Sequence, residues 1–267
     1  MKFLNKGLRF IKRTALKLFS KTIDLRDKEI DISLIESLSK YNSQDKILLS
    51  IPIGKCVTSV FWKLDESNPF IKSLQQQDIN QLKEYYLRFQ PNNVNELLAI
   101  YLESDYGKQS PYAYVMPWET RSPRDIMRQR DKIVTKENKK EGYDNVGLIN
   151  GGHSDFGPVS SVKFEIEKKR IQTIYKSIKQ QGYQENLKKD RGINGYFLMN
   201  QENKWRFYIT GGKHRAYVLS ALKYNKLPIV VRGKSIVDIK NYTHWAQYKE
   251  RRYSKNEIEI IFNKFFD

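Results

Sequence analysis

Cysteine is almost missing from this sequence. Cys56 stands alone, so no disulfide can close within the chain, and the expected setting is a reducing cytoplasm. Histidine is nearly as scarce. His153, His214 and His244 share no zinc-type spacing, and with a single cysteine this argues against a transition-metal site, so no metal ligand is assigned. Apolar residues never run on for the ~20 positions needed to span a bilayer. The opening residues 3–23 are broken throughout by basic residues and lack the apolar centre of a secretory signal. Internal repeats and low-complexity tracts are missing as well. Acidic residues are in deficit: 30 Asp and Glu stand against 48 Lys and Arg, a net charge of +18 that predicts attraction to an anionic partner.

With 39% hydrophobic and 13% aromatic residues, the 267-residue chain carries enough apolar surface for one large core or two modest ones. The most informative run is Ile209-Thr210-Gly211-Gly212-Lys213-His214-Arg215-Ala216. Trp205, Phe207 and Ile209 alternate with Arg206 and Tyr208, which predicts a strand, whereas Val218, Ala221 and Leu222 recur at helical spacing. The paired glycines between them tolerate positive φ and let a ligand approach the backbone. The helix start that follows presents unpaired N–H groups and the positive end of its dipole, so an anion is favoured there. Lys213, His214 and Arg215 on the same turn add two permanent cations and a titratable donor, suited to holding several phosphate oxygens. A plain turn followed by solvated basic residues is the competing reading.

After the helix, Asn225-Lys226-Leu227-Pro228 reads as a stop and Ile229-Val230-Val231-Arg232 as a strand. Upstream, residues 164–181 read as a helix with Ile171, Ile174, Tyr175 and Ile178 on one face and Gly182 at its C-terminal end. Followed toward the N-terminus, that face turns charged at Arg170 and Glu167, which aims both at the cleft of the glycine turn. Dipole stabilisation of an acid near a helix start would also place Glu167 there.

This order of elements resembles the ParB/sulfiredoxin family of nucleotide-binding domains. The likeness covers residues 157–232: a Ser-Ile-x-x-x-Gly-Tyr helix end (Ser177, Ile178, Gly182, Tyr183), a hairpin, a Gly-x-His-Arg-x-x-x-x-x-Ala box (Gly212, His214, Arg215, Ala221), and a Leu-Pro-Ile strand (Leu227, Pro228, Ile229). The resemblance implies an α+β protein with a mixed α/β nucleotide-binding domain. It also implies that Gly211, Gly212, Lys213, His214 and Arg215 bind the phosphates of a nucleoside di- or triphosphate. The superfamily looks to include a CTP-dependent partition clamp, an ATP-dependent sulfinic acid reductase and an ADP-dependent serine kinase. The reductase needs a cysteine where this chain has Lys213. Partition proteins carry an Arg-Arg box and a long helix-turn-helix region, whereas about thirty-five residues follow Arg232 here. The kinase-like branch, with its Gly-x-His-Arg form, is the closest.

Phosphoryl transfer needs anchored phosphates, neutralised charge on the transferred group, and an acceptor hydroxyl whose proton a carboxylate takes or orients. Glu167 is the first candidate for that carboxylate, followed by Glu165 and by Asp155 in the loop-like His153-Ser154-Asp155-Phe156-Gly157-Pro158. Glu165 and Glu167, two positions apart on a helix, point to different sides. Arg170 joins the phosphate-binding set. Mg²⁺ is expected for the reaction class, held by few protein ligands and several waters.

The remaining chain reads as an accessory frame. Residues 1–23 form a basic amphipathic helix, with Lys2, Lys6, Arg9, Lys12, Arg13, Lys17 and Lys21 beside a stripe of Leu4, Leu8, Ile11, Ala15 and Leu18. Such a helix fits an anionic surface at the inner face of the membrane, or packs its stripe on the rest of the protein. Residues 24–111 read as an α+β accessory region, with strands at 47–57 and 58–64 and helices at 79–89 and 94–102. Residues 112–156 read as a linker or lid, in which Arg121 and Arg124 beside Trp118 contact an anionic acceptor or simply face solvent. Residues 157–267 form the nucleotide-binding domain. The expected function is kinase-like phosphotransfer to a small-molecule or glycan-type hydroxyl. The alternative is a non-catalytic, nucleotide-regulated or DNA-binding protein. Aromatics alternating with cations at 245–255 support a nucleic-acid partner, although the capping box at Ser254 and Glu257 leads into an apolar helix face that folds back on the core.

Overall fold

The computed structural model describes residues 21–184, 192–232 and 235–267. The expected leading helix therefore lies outside the described residues, apart from its last positions, where Thr22–Asp24 form a strand instead. A mixed seven-stranded sheet organises the molecule: β1 (Thr22–Asp24), β2 (Lys46–Pro52), β3 (Cys56–Val57), β4 (Ile193–Met199), β5 (Trp205–Gly211), β6 (Lys226–Arg232) and β7 (Ile236–Asp238). The strand order is β1-β2-β6-β4-β5-β3, with β7 pairing the far end of β4. β4 and β5 form the expected hairpin. The start of β4 pairs with β6 and its end with β7, both parallel, so β6 is free to run antiparallel along β2.

Segments 24–111 and 157–267 thus share one sheet rather than forming separate layers, because β2 inserts beside β6 with Leu49 opposite Ile229. Along β4 and β5 the side chains alternate between two apolar clusters, one on each face. Phe197, Met199, Phe207 and Ile209 enter the first, and Leu198 and Tyr208 the second. The first face is covered by α1 (Ile32–Ser37), α2 (Pro69–Gln75), α3 (Asn80–Arg88), α7 (Ser161–Gln181) and α8 (Lys213–Ala221). α8 packs against both α2 and α7, and every residue from Ala216 to Ser220 is buried.

The second face carries α4 (Val94–Leu98), the start of α5 (Pro123–Lys140) and α10 (Lys255–Asn263). Two short helices, α6 (Leu148–Gly151) and α9 (Ala246–Lys249), complete the set. Trp118 is tied in here, its indole N–H donating to the Tyr196 hydroxyl at 2.6 Å and its ring meeting Trp245 and Phe262. The 245–255 run also folds onto this cluster, as its capping box predicts. Tyr253 is buried with its hydroxyl on Val115 O, and the Ser254–Glu257 box is formed.

Two expectations in the N-terminal half are corrected. Residues 47–57 do not make one strand, because a 3-10 turn at Ile53–Lys55 breaks β2 from β3 and sends them to opposite ends of the sheet order. Residues 58–64 are not a strand. Val60 and Phe61 take φ of 55° and 63°, which curls the chain into a turn. Among the described residues no helix is long and apolar enough to cross a membrane.

Candidate functional site

The glycine turn joins β5 to α8 as the sequence predicts. Gly212 caps the helix in the left-handed region, φ 77° and ψ 21°. A Cβ there would lie 3.0 Å from Gly192 O and from Ile193 Cα, so the backbone leading into β4 leaves little room for a side chain, and the positive φ favours glycine besides. At Gly211, the last residue of β5, a Cβ would meet the Asn194 side chain at 2.7 Å.

The next side chains reach inward, each to a buried carboxylate. Lys213 Nζ lies 2.7 Å from both carboxylate oxygens of Asp155 and 3.1 Å from Ser59 Oγ, and the Ser59 hydroxyl donates to Asp155 Oδ2. The Asp155 loop is fixed from α3, where the Tyr85 and Tyr86 hydroxyls donate to Asp155 O at 2.6 Å and to Ser154 O at 2.8 Å. The Asp155 amide donates to His153 Nδ1 at 3.1 Å, and the His153 ring stacks on Phe156. One turn beyond Lys213, the Tyr217 hydroxyl meets Thr58 Oγ1 at 3.3 Å.

His214 turns to α7, its Nε2 2.8 Å from Glu167 Oε2. The other oxygen of Glu167 is held by Lys163 Nζ at 2.5 Å and Arg170 Nη1 at 3.0 Å. Lys163, itself 2% exposed, also reaches Asn138 Oδ1 of α5 at 3.4 Å. Arg170 Nε lies 3.9 Å from Glu141. Glu167 is 0% exposed, so its three neighbours, not water, solvate its charge.

Electrostatics follow from that burial. Burial alone would raise the Glu167 carboxyl, but His214, through charge and hydrogen bond, then Lys163 and Arg170, hold it far below the usual carboxylate range. Asp155 behaves alike: burial opposes ionisation, and Lys213 overrides it. Lys213 is held above the ordinary lysine value because Asp155 outweighs its own burial. Burial pushes His153 down to about 3 against the attraction of Asp155, and its Nδ1, which accepts the Asp155 amide proton, is unprotonated. Because Glu167 is an acceptor only, the Nε2 of a neutral His214 carries the proton and the Nδ1 lone pair is left over.

Of the expected site residues, Asp155, Glu167, Arg170, Lys213 and His214 are brought together in one cluster at the start of α8. Arg215 lies on the same turn, half-buried, its side chain with no hydrogen-bond or ion-pair partner among the described residues. Glu165 is not brought in. Its side chain is 54% exposed and pairs with Lys168 at 3.1 Å, because helical geometry turns it away from Glu167. Sequence reasoning missed Lys163, Ser59, His153 and Asn138. The Lys163-x-x-x-Glu167 spacing signals the first, but nothing local signals Ser59, whose partner is 96 residues away.

Three permanent cations, Lys163, Arg170 and Lys213, pair with two buried carboxylates, and Arg215 on the same turn adds a fourth, so positive charge is in excess there. Among the described residues no group of three or more His, Cys, Asp or Glu side chains gathers as a metal site. No protein family, curated protein or solved structure matches this chain.

Proposed function

We propose that this protein is a nucleotide-dependent phosphotransferase of the ParB/sulfiredoxin type, of the kinase-like branch, acting on a small-molecule or glycan-type hydroxyl. The observation that carries this reading is the first turn of α8. There a left-handed glycine opens a helix whose Lys213 and His214 are each held by a buried carboxylate, while the Arg215 side chain beside them has no partner among the described residues. Preorganised cations at a helix N-terminus are what a polyphosphate requires.

In this reading Arg215, Lys213 and Arg170 neutralise the phosphate oxygens of a nucleoside di- or triphosphate. Glu167 is a positioning residue, since the ammonium of Lys163, the guanidinium of Arg170 and the imidazole of His214 occupy its oxygens and its low proton affinity makes it a poor base. It fixes the imidazole of His214, whose Nδ1 lone pair takes the acceptor's proton. Asp155 positions Lys213 in the same way. Mg²⁺ would supply further neutralisation of phosphate charge. Asp155 and Glu167 are saturated by ion pairs and would not hold it, so its ligands would have to come from the phosphates and water. The basic 1–23 segment favours work at the inner face of an anionic membrane.

Thermal unfolding with ATP, ADP, CTP and GTP, with and without Mg²⁺, tests the phosphate assignment. A ligand at 100 times its Kd adds about 2.7 kcal/mol. The parent protein should shift with at least one nucleotide and Arg215→Ala should not. Phosphate transfer to candidate hydroxyl acceptors then tests turnover. A nucleotide shift without any turnover would leave the second reading, a non-catalytic nucleotide-regulated or DNA-binding protein, which the net charge of +18 favours. No shift in the parent, or an unchanged shift in Arg215→Ala, overturns the site.

A further inference from the structure

α5 carries a ridge that the proposed reaction does not use. Arg124, Arg128, Lys132, Lys136 and Lys140 recur every fourth position along this 18-residue helix, and all five are exposed. Among the described residues none of them has an ion-pair or hydrogen-bond partner. At 1.5 Å per residue the row is about 24 Å long, and its steps of roughly 40° wind it through about 160° of the helix circumference. The opposite side of α5 is anchored to the protein by Ile126, Asn138 and the Arg130 guanidinium, which lies 3.8 Å above the Tyr114 ring.

Like charges four apart repel, at about 0.2–0.5 kcal/mol per pair, so an isolated helix gains nothing from this arrangement. The acids of α5 offset the row only in part. Asp125, Asp131 and Glu137 make no ion pair with it among the described residues, and seven basic residues stand against these three along the helix. A ridge of this length and sign fits a polyanion with regularly spaced charges.

Two kinds of anionic partner fit poorly. A membrane-surface helix needs an apolar face beside its cations, and the exposed face of α5 offers one large apolar side chain, Ile133. Single-stranded nucleic acid is gripped by stacking on aromatic rings, and α5 contains no aromatic residue. A helix 10–12 Å across matches the ~12 Å major groove of a duplex, and cations spread through about 160° reach the phosphates on both groove walls.

We propose that α5 is a docking ridge for double-stranded DNA, held through its phosphates without sequence selection. The ridge lies outside residues 157–232, so it stands independently of the nucleotide site.

Fluorescence anisotropy of a labelled 20-base-pair duplex, read across salt concentrations with the full chain, tests this. At about 0.9 per phosphate, five contacts give a slope of log K against log salt near −4.5, a loss of about 500-fold between 50 and 200 mM. The variant with Arg124, Arg128, Lys132, Lys136 and Lys140 all changed to Gln should lose binding at 50 mM and most of that slope. It should melt no lower than the parent, since repulsion along the row is relieved, and keep any nucleotide-induced shift, which separates failure of the ridge from failure of the site. A charge-matched control replaces Lys40, Lys72, Lys83, Lys226 and Lys249, exposed elsewhere, with Gln and should bind nearly as the parent does. Equal losses in the two variants, or no duplex binding by the parent, overturn the proposal. So does capture by anionic vesicles in place of DNA.

Discussion

His214 and Glu167 meet at 2.8 Å across two packed helices, the imidazole 19% exposed at the surface of the cluster and the carboxylate wholly buried beneath it. One end of the pair is open to solvent and the other is sealed by Lys163 and Arg170.

Glu167→Gln removes the anion while leaving Lys163 buried at 2% exposure, so the uncompensated ammonium should cost about 3–5 kcal/mol in urea unfolding. Glu167→Leu with Lys163→Met, which removes both buried charges, should recover much of that loss. Should the single variant prove as stable as the parent, the cluster is not the closed electrostatic unit described.

Acid should weaken the fold in two stages. His153 is held neutral at about 3 in the native state and returns to its ordinary ~6.5 when unfolded. Its contribution is full above pH ~6.5 and falls by about 1.4 kcal/mol for each unit below that, until the native pKa is reached. Asp155 and Glu167, both held below the usual carboxylate range, contribute stability above pH ~4 that is lost as pH falls further. In His153→Asn the amide oxygen can accept the Asp155 N–H, and the slope between pH 6.5 and 4.5 should flatten. An unchanged slope would exclude His153 as its source.

The two glycines should respond differently to alanine. Gly212→Ala forces a Cβ at φ 77° and 3.0 Å from backbone atoms of β4, and is expected to lower stability by about 1–3 kcal/mol. Gly211→Ala meets only the movable end of Asn194 and should cost less. If Gly211→Ala folds normally and still loses the nucleotide shift, Gly211 serves ligand approach and not the fold. Chemical denaturation and the thermal shift, run on both variants, separate the cases.

Ala99 ends α4 in the left-handed region, φ 51° and ψ 49°, with its side chain in solvent. Ala99→Gly should raise stability by about 1 kcal/mol, read from the denaturation midpoint. A loss would mean that contacts of the methyl group outweigh its backbone strain.

Local signals carried most of what could be read without coordinates. The alternation from Trp205, the glycine pair and the Leu-Pro-Ile run placed β5, α8 and β6 in order, and Ser254 with Glu257 marked the start of α10. The turn charges were legible as cations but not as ion pairs, because Lys213 finds Asp155 and Ser59 only through tertiary folding. Helical spacing separated Glu167 from Glu165 and put Glu167 on the line of the apolar face, where it is buried, yet it left the Lys163 partner unread. The strand-like run at 47–57 hid the bend at Ile53–Lys55, because apolar residues on both sides outweighed the turn signal of Pro52 and of the exposed Gly54 and Lys55. Joining of the N-terminal strands to the same sheet was invisible for another reason: strand partners leave no mark on each other's sequence.

β2 receives its second neighbour from residues roughly 180 positions downstream, Leu49 lying against Ile229. During synthesis an apolar strand must wait, flanked by β1 alone, until residue 232 has left the ribosome. That delay predisposes the nascent protein to chaperone capture and makes closure of this long loop the slow step of its folding.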